Sequence, residues 1–245
     1  MITVLVTGGS RGIGRGICQA FLEEGYNVAF TCRNQDNLNF ALKKLEPYSH
    51  NSKLIGLLCN SGNFKEVNMT VKKVVEEFDG IDILINNAGV RKYGSIFSLS
   101  VEDWIESVNT NINGYFYFCK EVLPCLLQSG NPWIFNIGST AGRVPFAEGI
   151  AYNTTKFAIN GFSDSIQLDV RNHGVRVCNI SPGNVFNKEF ECPEEEEWQM
   201  KPEDIGHTIA SLININNRAM PSVLEIRPTV IPEHPEKGIK SLRYI

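Results

Sequence analysis

Short apolar runs alternate along this chain with longer stretches in which apolar side chains recur every three or four positions. Runs rich in β-branched residues are typical of strands buried on both faces, and recurrence at three or four positions is typical of one helix face. The runs predict strands at residues 2–7, 27–32, 53–59, 81–86, 133–138, 175–181 and 222–227. The periodic stretches predict helices at residues 13–24, 36–46, 63–79, 101–128, 151–172 and 202–216. This alternation predicts an α/β fold, a doubly wound parallel sheet of about seven strands with helices on both faces.

The whole chain, residues 1–245, is expected to form a single domain, since α/β folds of this length commonly remain one unit. One long irregular segment, residues 183–201, interrupts the alternation and carries an acidic run from Glu194 to Glu197. Long loops in compact domains often cover active sites, which favours a substrate lid. A merely solvated charge cluster is an equally good interpretation. Residues 228–245 are expected to form a C-terminal tail.

A glycine-rich turn follows the first predicted strand. Gly8, Gly12 and Gly14 separate this strand from a helical pattern that places Ile13 and Ile17 on one face. A strand, a glycine turn and a helix make the start of a dinucleotide-binding unit, in which backbone N–H groups and the helix N-terminus receive the pyrophosphate. The glycine spacing differs from the usual G-x-G-x-x-G fingerprint, so a plain tight turn is the alternative.

The end of the second predicted strand bears on the choice of cofactor. An NAD-selective fold places an acid there to bond the ribose 2′-hydroxyl. This chain has Arg33 at that point and no acid before Asp36, and Arg11 lies inside the glycine turn. Two guanidinium groups pair well with a 2′-phosphate, so the sequence predicts NADP(H). The alternative is that both arginines are solvated surface charges.

Composition and charge argue against several classes of function. A net charge of −4 and a pI near 5.7 speak against a general nucleic-acid binder, which shows a basic face. No apolar run is long enough for a membrane span, and the N-terminus lacks the order of a signal peptide, so a cytoplasmic protein without membrane partners is expected. The seven cysteines form no C-x-x-C motif and are expected to be reduced. The four histidines lack metal-ligand spacing, so no metal site is predicted.

Several short motifs follow one another in a characteristic order. They are Thr7-Gly8-x-x-x-Gly12-x-Gly14, Asn86-Asn87-Ala88-Gly89, Asn111-Ile112-Asn113-Gly114, Ser139, Tyr152-x-x-x-Lys156 and Pro182-Gly183. In this order and spacing the chain resembles the short-chain dehydrogenase/reductase family over about residues 2–227. The resemblance implies a Rossmann-like fold and hydride transfer between a nicotinamide and a carbonyl or alcohol.

The chemistry of such a transfer suits these residues. Reduction of a ketone creates an alkoxide-like oxygen that needs a proton, and Tyr152 is the candidate donor. Lys156 lies four residues on, hence on the same helix face, where its charge makes the phenol a better acid. Ser139 can donate a hydrogen bond to the developing oxyanion. The family resemblance adds that Lys156 bonds the nicotinamide ribose and that Asn111 holds a water linked to the lysine. The predicted catalytic residues are Asn111, Ser139, Tyr152 and Lys156.

The same resemblance implies further contacts to the cofactor. Asn60 corresponds to a position that reaches the adenine, where many family members carry Asp. Asn87 is expected at the ribose, and Asn187 stands where many relatives hold the nicotinamide carboxamide with Thr. The predicted cofactor-binding residues are Gly8, Ser10, Arg11, Gly12, Ile13, Gly14, Arg33, Asn60, Asn87, Tyr152, Lys156, Pro182, Gly183 and Val185.

The substrate is the least constrained part of the prediction. Relatives with this N-terminal signature include 3-oxoacyl-acyl-carrier-protein reductases, whose protein partner is acidic. The glutamates of residues 183–201 would repel that partner, and the ending at residues 223–228 departs from that group. We therefore expect a small free ketone or alcohol, with the carrier-bound acyl substrate as the alternative. Arg91 and Lys92 are candidates to bind a substrate carboxylate, and a surface role is their alternative.

Two further expectations concern turnover and assembly. A non-catalytic, NADP(H)-sensing regulatory protein is the alternative from another functional class, although it would be expected to lose Tyr152, Lys156 or Ser139, and all three are present. The family commonly assembles through two long helices, which predicts a homodimer or homotetramer. Aromatic residues 115–118 lie on more than one face of the first such helix, and burial within the subunit would explain some of them.

Overall fold

The computed structural model describes residues 1–186 and 196–231. Its strands are β1 (Thr3–Val6), β2 (Asn27–Cys32), β3 (Leu54–Leu58), β4 (Ile83–Asn86), β5 (Trp133–Ile137), β6 (Arg176–Pro182) and β7 (Val223–Ile226). They form one parallel sheet in the order β3-β2-β1-β4-β5-β6-β7. The predicted α/β fold and its seven parallel strands are confirmed.

The strand order reverses at β1, whose Val4 pairs with Val28 of β2 on one side and with Ile83 of β4 on the other. In open parallel sheets, ligands bind outside the carboxyl ends of the strands at such a reversal. The fold therefore places a ligand crevice where the glycine turn leaves β1.

Helices cover both faces of the sheet. They are α1 (Gly12–Glu23), α2 (Gln35–Leu45), α3 (Phe64–Phe78), α4 (Val101–Val108), α5 (Gly114–Leu126), α6 (Ile150–Val170) and α7 (Pro202–Leu212). Successive β1 side chains point to opposite faces, so that Val4 and Val6 join one buried apolar cluster and Leu5 joins the other. Burial on both sides explains why the strands are apolar at nearly every position.

The helix predicted at residues 101–128 differs in the structure. Helices α4 and α5 are separated by a π-helical turn at Asn109–Asn113. The apolar periodicity continues through this turn, so the sequence pattern gave no sign of the interruption. Single π turns within α-helices frequently mark functional sites, and this one contains Asn111.

Helix α7 packs on α1 with the two backbones in close approach. A Cβ atom on Gly16 would lie 2.4 Å from the main-chain carbon of Pro202, and one on Gly206 would lie 2.4 Å from the Gly16 carbonyl oxygen. Both positions therefore require glycine. Because α1 carries the glycine turn at its N-terminus, the start of α7 is held at a fixed place relative to that turn.

The segment predicted as a substrate lid, residues 183–201, is described only at its ends. The Gly183 N–H donates to the Ile226 carbonyl at 2.7 Å, and the Phe186 N–H donates to the Met200 carbonyl at 2.8 Å. Residues 187–195, including Asn187, Glu194 and Glu195, lie outside the described residues, as does most of the predicted tail. Within the described ranges, no helix is both long and apolar enough to cross a membrane.

Candidate active site

A cleft of about 690 Å³ opens at the carboxyl ends of β1, β2, β4 and β5. The predicted residues that line it are Gly8, Ser10, Arg11, Gly12, Ile13, Gly14, Arg33, Asn87, Asn111, Tyr152 and Lys156. The strand order thus brings the glycine turn and the Tyr152-Lys156 pair into one crevice.

The glycine turn is shaped for close approach of a ligand to the backbone. Gly8 and Gly12 have φ angles of +65° and +51°, in the left-handed region that favours glycine. A Cβ atom on Gly14 would lie 2.3 Å from the Gly8 carbonyl oxygen and 2.5 Å from Asn87 Nδ2. Arg11, in extended conformation, precedes α1, and its side chain does not cap the first N–H groups of this helix. These N–H groups can therefore bind an anion such as a pyrophosphate.

The Thr7 and Asn87 side chains tie this turn to the segment that follows β4. Thr7 Oγ1 accepts from the N–H groups of Asn87 and Ala88, both at 2.9 Å. Asn87 Nδ2 donates to the carbonyls of Thr7 at 2.9 Å and Gly8 at 3.1 Å. The predicted contact of Asn87 with a ribose stays a prediction, but its amide already has a structural role in fixing the turn.

At the β2 end of the cleft, Arg33 is paired with a carboxylate. Its Nη1 lies 2.8 Å from Glu106 Oε1 on α4, and Lys92 Nζ lies 3.0 Å from the other Glu106 oxygen and 2.8 Å from Asp103. Hydrogen bonds from Arg33 and then Lys92 hold the pKa of Glu106 below its ordinary value. Lys92 is thus paired with two carboxylates. The Arg33 guanidinium, which is predicted to bind the 2′-phosphate, is itself paired with the Glu106 carboxylate.

Asn60 does not line the described cleft. Its side chain is exposed and accepts from the Gly62 N–H at 3.1 Å, which closes a local turn, whereas its neighbours Cys59 and Ser61 do line the cleft. The predicted contact of Asn60 with the adenine stays a prediction.

Tyr152 and Lys156 lie on successive turns of α6, as their spacing predicts. The Lys156 ammonium is 5.8 Å from the Tyr152 ring centroid and donates to the Ile137 carbonyl at 2.7 Å. Only 6% of Lys156 is exposed, and burial lowers the pKa of its ammonium group, although the Tyr152 hydroxyl group opposes this shift. Lys156 is therefore a buried cation of fixed orientation next to Tyr152.

The Tyr152 hydroxyl has an acidity different from that of a free phenol. Burial alone raises its pKa. The positive charges of Lys156 and Arg91, with hydrogen bonds from Ser139 and Arg91, together outweigh burial and hold the pKa of Tyr152 below its ordinary value. Cations and hydrogen bonds that favour a phenolate make the neutral phenol a better proton donor.

Ser139 follows β5 and precedes a short 3₁₀ turn at Thr140–Gly142. Its Oγ accepts from the Ala141 N–H at 3.1 Å, so the hydroxyl proton is free to point elsewhere, and Ser139 helps to lower the pKa of Tyr152. The same side chain thus caps the turn and acts on the tyrosine.

Asn111 lies in the π turn with its side chain fully engaged. Its Oδ1 accepts from the Val90 N–H at 2.8 Å, and its Nδ2 donates to the Val90 carbonyl at 3.0 Å and to Thr155 Oγ1 at 3.1 Å. The predicted contact of Asn111 with a water stays a prediction. In the structure, the side chain fixes the backbone immediately before Arg91.

Two aromatic rings stand beside Tyr152. Tyr93 and Phe146 lie 5.9 Å and 6.2 Å from the Tyr152 ring, centroid to centroid, and 5.8 Å from each other. Gly94, next to Tyr93, donates its N–H to the Glu148 carbonyl at 2.6 Å, which ties the two segments together. These rings form an apolar wall at the Tyr152 end of the site.

The remaining predicted cofactor residues lie at the end of β6. Pro182 is its last residue, Gly183 follows, and Val185 forms an isolated bridge with Met200. They share the carboxyl edge of the sheet with the cleft, but none is part of its described lining.

The sequence model of the short chain dehydrogenases matches residues 2–191. The chain belongs to the short chain dehydrogenase family. An NADP-dependent 3-hydroxy acid dehydrogenase of Shigella flexneri is 32% identical over 241 residues, which span 91% of this chain and 95% of the relative. A 3-oxoacyl-acyl-carrier-protein reductase of Vibrio cholerae is 31% identical over 179 residues, with coverage of 73% and 71%. The solved structure of a serine dehydrogenase from Escherichia coli is 30% identical, with a TM-score of 0.78 and coverage of 92% and 97%.

Two features of this dehydrogenase site were missed in the sequence. Glu106 lines the cleft beside Arg33, although the two residues are 73 positions apart. Thr7 belongs to the first motif, but the motif does not predict that its hydroxyl oxygen accepts two hydrogen bonds. Neither feature has a local sequence signal, because both depend on the packing of distant segments at the sheet edge.

Proposed function

We propose that this dehydrogenase is an NADP(H)-dependent oxidoreductase that transfers hydride between the nicotinamide and a small free ketone or secondary alcohol. The observation that carries the proposal is the position of Tyr152, whose acidity is raised by the neighbouring cations in the same cleft as the glycine turn. Family membership supports the reaction class.

The residues present fit a dinucleotide. The turn at Gly8 and Gly14 leaves backbone space that a Cβ atom would fill, and the uncapped start of α1 offers N–H groups to the pyrophosphate. Arg33 and Arg11 would hold the 2′-phosphate, which favours NADP(H) over NAD(H). The printed description of the Shigella flexneri relative as NADP-dependent supports this preference. When bound, the cofactor supplies or accepts the hydride.

The protein's part in the reaction is the transfer of one proton. In reduction, the Tyr152 O–H bond breaks as its proton passes to the carbonyl oxygen of the substrate, and the electron pair of that bond stays on the tyrosine as phenolate. Lys156 stabilises the phenolate by charge, and Ser139 donates hydrogen bonds at the reacting oxygen. In oxidation the phenolate takes the proton back from the alcohol.

The size of the substrate is inferred from two relatives. The Shigella flexneri enzyme is described as a 3-hydroxy acid dehydrogenase and the Escherichia coli structure as a serine dehydrogenase, and both align with nine-tenths or more of this chain. The carrier-dependent reductase of Vibrio cholerae aligns with a smaller share. A small free substrate is therefore the better supported class.

The test is Tyr152→Phe, with Tyr93→Phe as the matched control that removes a neighbouring hydroxyl. Loss of the general acid should lower kcat by about 10²- to 10⁴-fold and leave NADPH affinity within about twofold, because the ring is kept. Turnover is measured by NADPH absorbance against a panel of small ketones and one carrier-bound 3-oxoacyl substrate. Wild-type kcat in Tyr152→Phe would refute the mechanism, and NADPH binding without turnover of any substrate by the wild type would favour a regulatory protein.

A further inference from the structure

We propose that Arg91 binds a carboxylate of the substrate, so that the compounds oxidised or reduced are small hydroxy or oxo acids. This inference rests on the proposed function, because it concerns the same site and the same reaction. It adds a residue that family membership does not supply, and the chemical class agrees with the description of the Shigella flexneri relative as a 3-hydroxy acid dehydrogenase.

The first observation is the position of Arg91. It lines the same cleft as Tyr152, and its positive charge helps to lower the pKa of the Tyr152 hydroxyl. The backbone that carries it is fixed, since both polar groups of the buried Val90 main chain are bonded to the Asn111 side chain, at 2.8 and 3.0 Å. A guanidinium group is thus held in the cleft with Tyr152 from a fixed backbone.

The second observation is an imbalance of charge. Lys92 has two carboxylate partners in Asp103 and Glu106. Among residues 1–186 and 196–231, no carboxylate is paired with Arg91, and its positive charge also acts on Lys156. Two cations therefore flank Tyr152 without an acidic side chain of the described chain to balance them. An anionic group on the substrate would provide that balance.

The third observation is the shape of the surroundings. A guanidinium is a planar fork of N–H donors that matches a carboxylate in two parallel hydrogen bonds. Because Arg91 and Tyr152 line the same cleft and interact electrostatically, a carboxylate on Arg91 would lie close to the oxygen that receives the proton. The half-exposed rings of Tyr93 and Phe146 lie beside the Tyr152 ring and offer apolar surface to the carbon skeleton of such a substrate.

The experiment compares a short-chain 3-hydroxy acid with its methyl ester, which keeps the hydroxyl group and removes the charge. Arg91→Met removes the guanidinium, Arg91→Lys keeps the charge without the fork, and Lys92→Met tests the neighbouring cation. For the wild type we expect kcat/KM to favour the acid over the ester by roughly 10- to 100-fold, the range for hydrogen bonds to charged groups. Arg91→Met should erase this preference through a higher KM for the acid, Arg91→Lys should restore part of it, and Lys92→Met should retain it.

Other outcomes would overturn the inference. If Arg91 acts only through Tyr152, Arg91→Met will lower kcat equally for acid and ester, and both alcohol-oxidation profiles will move to higher pH, because loss of a cation raises the tyrosine pKa. A weakened NADPH affinity in Arg91→Met would place Arg91 at the cofactor instead. Equal use of acid and ester by the wild type would also refute the carboxylate site. Failure of the proposed function is separate, since it would appear as a wild type that turns over neither compound.

Discussion

Replacement of Glu106 by Gln should tighten NADPH binding. Glu106 holds Arg33 at 2.8 Å, and a 2′-phosphate that binds Arg33 must displace this carboxylate or share the guanidinium with it. The substitution keeps the size of the side chain and removes its charge. NADH lacks the 2′-phosphate, so its affinity should stay within about twofold of the wild type.

The magnitude follows from the exposure of the pair. The two side chains are 50% and 37% exposed, and exposed ion pairs contribute about 0.2–1 kcal/mol. If binding of the phosphate sacrifices this interaction, its removal should improve NADPH affinity by about 1.4- to 5-fold, at about 1.4 kcal/mol per factor of ten. The gain should shrink at high salt, because the repulsion between phosphate and carboxylate is then screened.

The assay is a fluorescence titration of NADPH and NADH into four proteins: the wild type, Glu106→Gln, Arg33→Met and the double variant. Arg33→Met should weaken NADPH selectively. When Arg33→Met is already present, Glu106→Gln should improve NADPH affinity less, because carboxylate and phosphate no longer compete for Arg33. An undiminished gain in the double variant would show that Glu106 acts on the cofactor without Arg33. Weaker NADPH binding by Glu106→Gln would refute the reasoning outright.

Two further predictions concern the glycine turn and the tyrosine. Gly14→Ala should weaken NADPH binding by at least about tenfold, since its Cβ would lie 2.3 Å from the Gly8 carbonyl oxygen. Gly161→Ala, whose new Cβ would enter open space, is the control. The NADPH affinity of both variants is measured by titration calorimetry. For alcohol oxidation, kcat/KM should rise with pH and level off below pH 10, because oxidation needs the phenolate and the pKa of Tyr152 lies below its ordinary value. Ketone reduction should decline over the same range, and an oxidation plateau reached only above pH 10 would contradict the assigned base.

Local sequence patterns were sufficient for the elements and for much of the site. Each strand is a short apolar run because both sheet faces are buried, so its position could be predicted from neighbouring residues alone. The Tyr152-Lys156 spacing likewise reports helix geometry directly. The short chain dehydrogenase family and the parallel sheet could therefore be predicted from the sequence.

Other features depend on contacts between distant segments. The pairing of Arg33 with Glu106 joins β2 to α4, and no spacing rule connects positions so far apart. The π turn follows no break in the apolar pattern, although Asn111 within it bonds the backbone at Val90. The Asn60 side chain closes a local turn with Gly62, which the family resemblance does not reveal. Side-chain partners of this kind become visible only once the chain is folded.

The close packing of Gly16 against Pro202 has a consequence for protein engineering. The chain between β6 and α7 leaves from a main-chain bond at Gly183 and returns at a helix locked on α1. Both points of attachment are backbone contacts, so they are independent of which side chains stand between them. Segments of different length or composition could be exchanged between these two points, while the glycine turn keeps its place.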